Sequence, residues 1–191
     1  MTVYALDGLV PVIDPSAFVH PQASIIGDVI IGARCYVGPG ASLRGDFGRI
    51  IMNAGANVQD CCVLHSFPAR DALLEPDAHI GHSAVLHGCT IRRGALIGIG
   101  AIVMDEVVVE EEAFVGAGSF VRRGTTKPAR VVRELSEQEL AWKARGTIEY
   151  QELAARCLSG LRECTALTVV EPDRPRLAVS DTIPLHATRK K

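Results

Sequence analysis

Val85-Leu86-His87-Gly88-Cys89-Thr90-Ile91-Arg92-Arg93-Gly94-Ala95-Leu96-Ile97-Gly98-Ile99-Gly100-Ala101-Ile102-Val103 decides the fold of this 191-residue chain. Branched aliphatics recur at Val85, Ile91, Ile97 and Val103, and the same step continues through Val109, Val115 and Val121. A step of six is not the 3.6-residue period of a helix, and a lone half-buried strand would simply alternate. The step fits a short strand plus a tight turn, with one branched aliphatic pointing inward. Three such units close a triangular coil of about eighteen residues, and each coil buries the face its neighbour cannot bury alone. Upstream, Val19, Ile25, Ile31, Val37 and Leu43 keep the step, as do Val58 and Leu64. The pattern predicts a mainly β fold, a parallel β-helix.

Four residues after each aliphatic lies a second inward slot, usually small: Ala23, Cys35, Ala41, Cys62, Cys89, Ala95, Ala101, Ala113 and Ser119. Three of the six cysteines fill it, which makes them packing residues. No Cys-x-x-Cys pair occurs, and the chain reads as cytoplasmic, so no disulfide is expected. Glycines 27, 32, 38, 81, 98, 100 and 116 suit the corners.

The repeat predicts four segments: a lead-in over 1–17, the β-helix over 18–127, a helical segment over 128–170 and an extended or disordered tail over 171–191. Ser136-Glu137-Gln138-Glu139 is a capping box. It predicts one helix to about Arg145, a pause at Gly146, and a second helix capped by Thr147. The second would carry an apolar stripe of Tyr150, Leu153, Ala154, Cys157, Leu158 and Leu161. The basic end, Thr188-Arg189-Lys190-Lys191, reads as a solvated tail.

Net charge is −2 and aromatic residues are 5% of the chain. That balance gives no basic stripe and too few rings for base stacking, so nucleic acid is not an expected partner. The start, Met1 to Gly8, lacks the basic-then-apolar order of a signal peptide. The longest strongly apolar run, Ala95 to Met104, is too short to span a bilayer.

The register breaks twice. Leu43 to Val58 is fifteen residues rather than twelve, and Leu64 to Val85 is twenty-one rather than eighteen. The second break contains the loop Ser66-Phe67-Pro68-Ala69-Arg70-Asp71. Interruptions of a regular scaffold are where function tends to sit. His65, His82 and His87 gather at this one. Neutral imidazole is a preferred zinc ligand, and three protein ligands leave one position open for chemistry. His82 and His87 are five apart, so in a coil with six-residue sides they point differently. Two neighbouring copies of the chain, related by a rotation axis, bring such residues to one ion. Asn57 and Gln59 flank the inward Val58 and point outward together, where they could bind a zinc-bound water or an oxyanion.

Arg44-Gly45-Asp46, Asn57-x-Gln59-Asp60, His65 and His82-x4-His87, in that order on a hexapeptide scaffold, resemble the γ-class carbonic anhydrase family. The resemblance implies a left-handed parallel β-helix with C-terminal α-helices. It implies a homotrimer with zinc, or another divalent metal, at each subunit interface, His65 and His87 coming from one subunit and His82 from the next. It implies a salt-bridge network of Arg44, Asp46 and Asp60, with Gln59 and Asn57 near the metal's water and Tyr150 brought to the site by helix. Leu43 to Ile50, Gly81 to Cys89, Ser136 to Lys143 and Glu149-Tyr150-Gln151 narrow the likeness to the PaaY-like subgroup, with the CaiE-like subgroup second. That subgroup implies a metal-dependent thioesterase acting on a small CoA thioester of phenylacetate catabolism. The alternatives are a carbonic anhydrase of low activity, a non-catalytic trimeric scaffold, and a hexapeptide acyltransferase. The efficient carbonic anhydrases carry glutamate proton shuttles where this chain looks to have Phe47 and Pro68.

Overall fold

The computed structural model describes residues 2–122, 133–165 and 167–169. The expected tail over 171–191 and the stretch 123–132 lie outside them. The chain winds as a left-handed parallel β-helix with three faces, all of its strand pairings parallel. The first face stacks Thr2–Tyr4, the start of Ser24–Ile31, the start of Ser42–Met52, Val63–His65, Val85–His87, Ile102–Val103 and Phe120–Val121. The second face stacks Val12–Ile13, the ends of the same two long strands, Ala72–Leu74, Thr90–Ile91 and Val108–Val109. Phe18–Val19, Tyr36–Val37, Asn57–Val58, His79–Ile80, Leu96–Ile97 and Phe114–Val115 make the third.

The core is the inward column. Ile25, Ile31, Val37, Leu43, Val58, Leu64, Ile91, Ile97, Val103, Val109, Val115 and Val121 are buried, as are Cys35, Cys62 and Cys89 in the small slot. All six cysteines are free. Burial raises the Cys35 and Cys62 thiols to about 11, so they are inert packing groups.

Several expectations need correction. The coil begins at Thr2 rather than Phe18, because Thr2–Tyr4 and Val12–Ile13 already pair with Ser24–Ile31. Val3 and Val12 are exposed; Ile13, six before Val19, keeps the inward step and packs against the core, partly buried. The six-residue step assigns the inward position to Val85, but Leu86 is the buried residue and Val85 pairs outward with Val63. Of the seven glycines read as corners, Gly27 and Gly100 have positive φ. Gly81 and Gly98 instead lie so close to the next coil's backbone that a side chain would collide with it.

The inward column also locates the irregularities. Leu43 to Met52 is nine residues, Leu64 to Leu74 is ten, and Leu86 to Ile91 is five, where the regular step is six. All three departures fall at the edge between the first and second faces.

One helix, Glu137–Gly160, follows, rather than two. Its capping box forms as expected, with Ser136 at the N-cap and Glu139 reaching back. Thr147 does not cap: its hydroxyl bonds the Lys143 carbonyl one turn back, 3.4 Å away, inside a continuing helix. Gly146 costs such a helix about 1 kcal/mol against alanine, too little to break one pinned along its length. The helix lies on the third face, where Ala154 is buried and Tyr150, Leu153 and Cys157 pack with Phe18 and Tyr36. Leu158 and Leu161 of the expected stripe are exposed. Polar pins fix its position. The buried Lys143 donates to the carbonyls of Gly94 (2.6 Å) and Glu112 (3.0 Å), and Gln151 donates to Gly55 (3.2 Å) and Asp77 (2.9 Å).

Candidate metal centre

The first face carries one half of the site at each of its edges. At the edge toward the second face, His65 and His87 end strands that lie in register, one directly above the other. His65 Nδ1 and His87 Nε2 face each other at 3.1 Å. Their remaining nitrogens are both taken by carboxylates: His65 Nε2 by Asp46 at 2.9 Å, and His87 Nδ1 by Asp105 at 2.7 Å. Arg44 holds the other Asp46 oxygen at 2.6 Å. Burial works to raise the Asp46 carboxyl, but the bonds from His65 and Arg44 outweigh it and hold it below the usual carboxylate range. Asp105 is buried and reaches His87 because Gly88 gives way: a side chain at Gly88 would meet the Asp105 carboxylate.

At the opposite edge, toward the third face, His82 sits in the turn between His79–Ile80 and Val85–His87. Its Nδ1 lies 3.2 Å from Asp60, and its Nε2 lies 3.4 Å from the Tyr150 hydroxyl. The helix therefore places the Tyr150 hydroxyl beside His82. Within one chain Asp60 stands at the His82 edge and Arg44 and Asp46 at the other, so a network of the three, expected across a subunit boundary, would need two copies.

Asn57 and Gln59 do point outward together, but onto His79. Asn57 Nδ2 is 3.2 Å from His79 Nδ1, and Gln59 Nε2 is 2.7 Å from His79 Nε2 and 3.1 Å from the Asn57 oxygen. All three are buried beneath the helix. Burial, and then the nearby His82 and Lys143, lower the His79 pKa to about 4. The sign of the consequence is fixed: the unfolded chain takes this proton first, near pH 6.5, so stability is complete above that pH. It should fall by about 3 kcal/mol as pH drops to about 4. Unfolding titrations at pH 7 and pH 4.5 measure the loss, and His79→Gln should reduce it.

Sequence reasoning missed His79 and Asp105. The coil from Leu86 to Val103 is seventeen residues, so Asp105 lies one position past the register level of His87, and His79 pairs with Asn57 across a coil lengthened to twenty-two; a fixed step points to neither role.

Among the described residues, no group of three or more His, Cys, Asp and Glu within the chain is placed to hold a metal ion. The donor chemistry nevertheless fits zinc. Two ligands on a tetrahedral zinc, at about 2.0–2.1 Å each, stand roughly 3.3 Å apart, close to the separation of the facing His65 and His87 nitrogens. Each of the three histidines has one ring nitrogen against a carboxylate, the arrangement that orients metal-binding imidazoles. Two of the three histidines stand at one edge and the third at the other, so a single ion could reach all three only between two copies of the chain.

Among the described residues, no helix is long and apolar enough to cross a membrane. Residues 11–45 match the family model for the bacterial transferase hexapeptide (six repeats). The carnitine operon protein CaiE of Salmonella newport is 52% identical over 186 residues, covering 93% of this chain and 94% of that protein. CaiE of Salmonella agona is 50% identical over the same length. Among solved structures, a Bacillus cereus protein provisionally named an acetyltransferase superimposes with a TM-score of 0.80 at 35% identity. It covers 83% of this chain and 97% of its own. A hexapeptide transferase family protein from Anaplasma phagocytophilum gives 0.76 at 34%, covering 80% and 96%. The subgroup expected second is thus the one these relatives carry. Coil, helix and near-complete likeness agree that the chain belongs to the CaiE-like hexapeptide-repeat transferase family.

Proposed function

We propose that the protein is a homotrimeric, metal-dependent hydrolase of acyl-CoA thioesters, with zinc held between neighbouring copies. The observation that carries the reading is the division of three carboxylate-backed histidines between the two edges of one face. Between those edges runs an outward ladder, Val63, Val85, Ile102 and Phe120, in which Val63, Ile102 and Phe120 are exposed. A contiguous apolar strip of this kind favours being covered. Unlike edges meeting head to tail close into a ring, and the occupant that completes the site is a second copy.

A zinc ion on three imidazoles with an open position supplies a water acidic enough to act as nucleophile near neutral pH. The chain's own residues do the rest. Asp46, Asp105 and Asp60 fix the ring orientation of His65, His87 and His82. Gln59 and Asn57, buried with their side-chain amides on His79, brace the His82 edge beneath the helix rather than touch the substrate. Tyr150 positions substrate or water through its hydroxyl, and burial holds that hydroxyl protonated. Water adds to the carbonyl carbon, the carbon–sulfur bond breaks, and the products are a carboxylic acid and a free thiol.

The test is release of free thiol from acetyl-, hexanoyl- and benzoyl-CoA by zinc-loaded protein, before and after chelation. Release that chelation abolishes and zinc restores is the expected result; no thiol from any of the three sinks the reading. A second reading follows from the acetyltransferase names among the solved relatives: transfer of the acyl group to an acceptor other than water. Thiol release that requires an added amine, and persists after chelation, favours it. Slow CO2 hydration is the alternative left by the carbonic anhydrase resemblance, and stopped-flow assays measure it directly.

A further inference from the structure

The two insertions in the coil leave the solenoid at the same edge, and each places one phenylalanine beside the paired histidines. Phe47 comes from the insertion within Ser42–Met52, and its ring lies 5.6 Å from that of His65. Phe67 comes from the loop after Val63–His65, and its ring lies 4.8 Å from that of His87, edge on. With the His65 and His87 rings 5.1 Å apart, the four make one continuous row, Phe47–His65–His87–Phe67. Phe47 is 61% exposed and Phe67 is 53% exposed. A regular coil needs neither insertion, and each carries one of the two exposed rings.

The loops are fastened, not loose. Ser66 donates to the Arg70 carbonyl at 2.8 Å, and Arg70 pairs with Glu106 at 2.9 Å. Arg49 pairs with Asp28 at 2.9 Å. Gly48 is in such close approach that a side chain there would collide with the carbonyls of Phe67 and Arg70, so one insertion seats directly on the other.

We propose that Phe47 and Phe67 form the apolar mouth of the site and take the acyl portion of the substrate. They select acyl groups with a flat or extended apolar end over acetyl. The proposal rests on the hydrolase reading above. An acyl chain whose carbonyl is at the metal-binding histidines must leave along their flank, and that flank is walled by these two rings. Aromatic rings receive flat groups edge to face or offset at such separations, and a few apolar carbons in a pocket discriminate substrates by about 10- to 200-fold.

The experiment uses the intact zinc-loaded protein. The kcat/KM values for hexanoyl- and benzoyl-CoA, each divided by that for acetyl-CoA, should exceed about 10 in the wild type. Both ratios should fall towards one in Phe47→Ala and Phe67→Ala, with solution mass unchanged; Phe67→Leu should keep the hexanoyl preference and lose the benzoyl one. Equal falls on all three substrates, or a changed solution mass with unchanged ratios, would make the rings structural or interfacial and overturn the proposal. Calorimetric titration with 3-phenylpropionate and acetate gives an independent readout. If no thioester is cleaved, the hydrolase reading fails, and the mouth is judged by this titration alone. Tighter binding of 3-phenylpropionate, lost in the double alanine variant, supports it. Wild-type binding that is absent, or equal in the variant, overturns it.

Discussion

His87→Ala should strip the protein of its metal and of zinc-dependent thiol release together, lowering metal affinity by well over 100-fold. Loss of a carboxylate that merely orients a ligand histidine typically costs about 10- to 100-fold, and here the ligand itself is removed. Asp105→Asn provides the graded comparison. It leaves His87 in place and weakens the charge behind its Nδ1, so it should fall within that 10- to 100-fold range. Zinc titration with a competing chelator measures both. Equal metal affinity in wild type and His87→Ala would remove His87 from the ligand set. The ordering also matters: an Asp105→Asn loss larger than that of His87→Ala would mean that the carboxylate, not the imidazole, is the ligand.

Leu86→Ala should have the largest effect on folding. Leu86 is fully buried in the inward column, between Leu64 one coil before it and Val103 one coil after it. Large-to-small changes at such sites cost about 2–5 kcal/mol, because transfer free energy is lost and the cavity left behind collapses incompletely. In a stacked coil each layer contacts only its neighbours, so the loss is not spread over the molecule. Val85→Ala, one residue away on the outward side, should cost the isolated chain about 0.5 kcal/mol or less. It should act instead on assembly, appearing as a concentration-dependent change in solution mass. Denaturant midpoints at two protein concentrations distinguish the two residues. If Val85→Ala were the more damaging to the fold, Val85 would be the inward residue.

That contrast marks how far the sequence alone could be read. The six-residue step identified the coil, its faces and most inward residues, because a solenoid repeats one packing problem. It failed where the step itself changes. The five-residue interval from Leu86 to Ile91 moved the inward position off Val85; a fixed step shows the net surplus of three between Leu64 and Ile91 but not that it is four gained before Leu74 and one lost after Leu86. At the N-terminus the exposed Thr2–Tyr4 carries no periodic signal, and in the next rung only Ile13 keeps the step. Glycine misled because two demands look alike in sequence: a left-handed corner at Gly100, and backbone crowding from the next coil at Gly81.

The histidine cluster was legible in the sequence and the groups that hold it were less so. His65, His82 and His87 stood out by clustering at an interruption, and Tyr150 by its place on a helical stripe. The grouping of Asp60 with Arg44 and Asp46 across a subunit boundary leaves its partner within the chain unstated, and that partner is His82. Asn57 and Gln59 were read as facing the metal ligands; the buried His79, invisible to that reasoning, is what they hold.

If two chains complete one metal site, two variants that are each defective at a different edge should restore it when mixed. His82→Ala and His87→Ala proteins are prepared separately, then unfolded, combined in equal amounts and refolded together. Metal content is measured before and after. Each variant alone should hold little metal. In the mixture, random head-to-tail pairing places an intact His65–His87 edge against an intact His82 edge at about one interface in four. About a quarter of the wild-type metal should therefore return. A mixture that binds no more metal than its two parents would contradict the account.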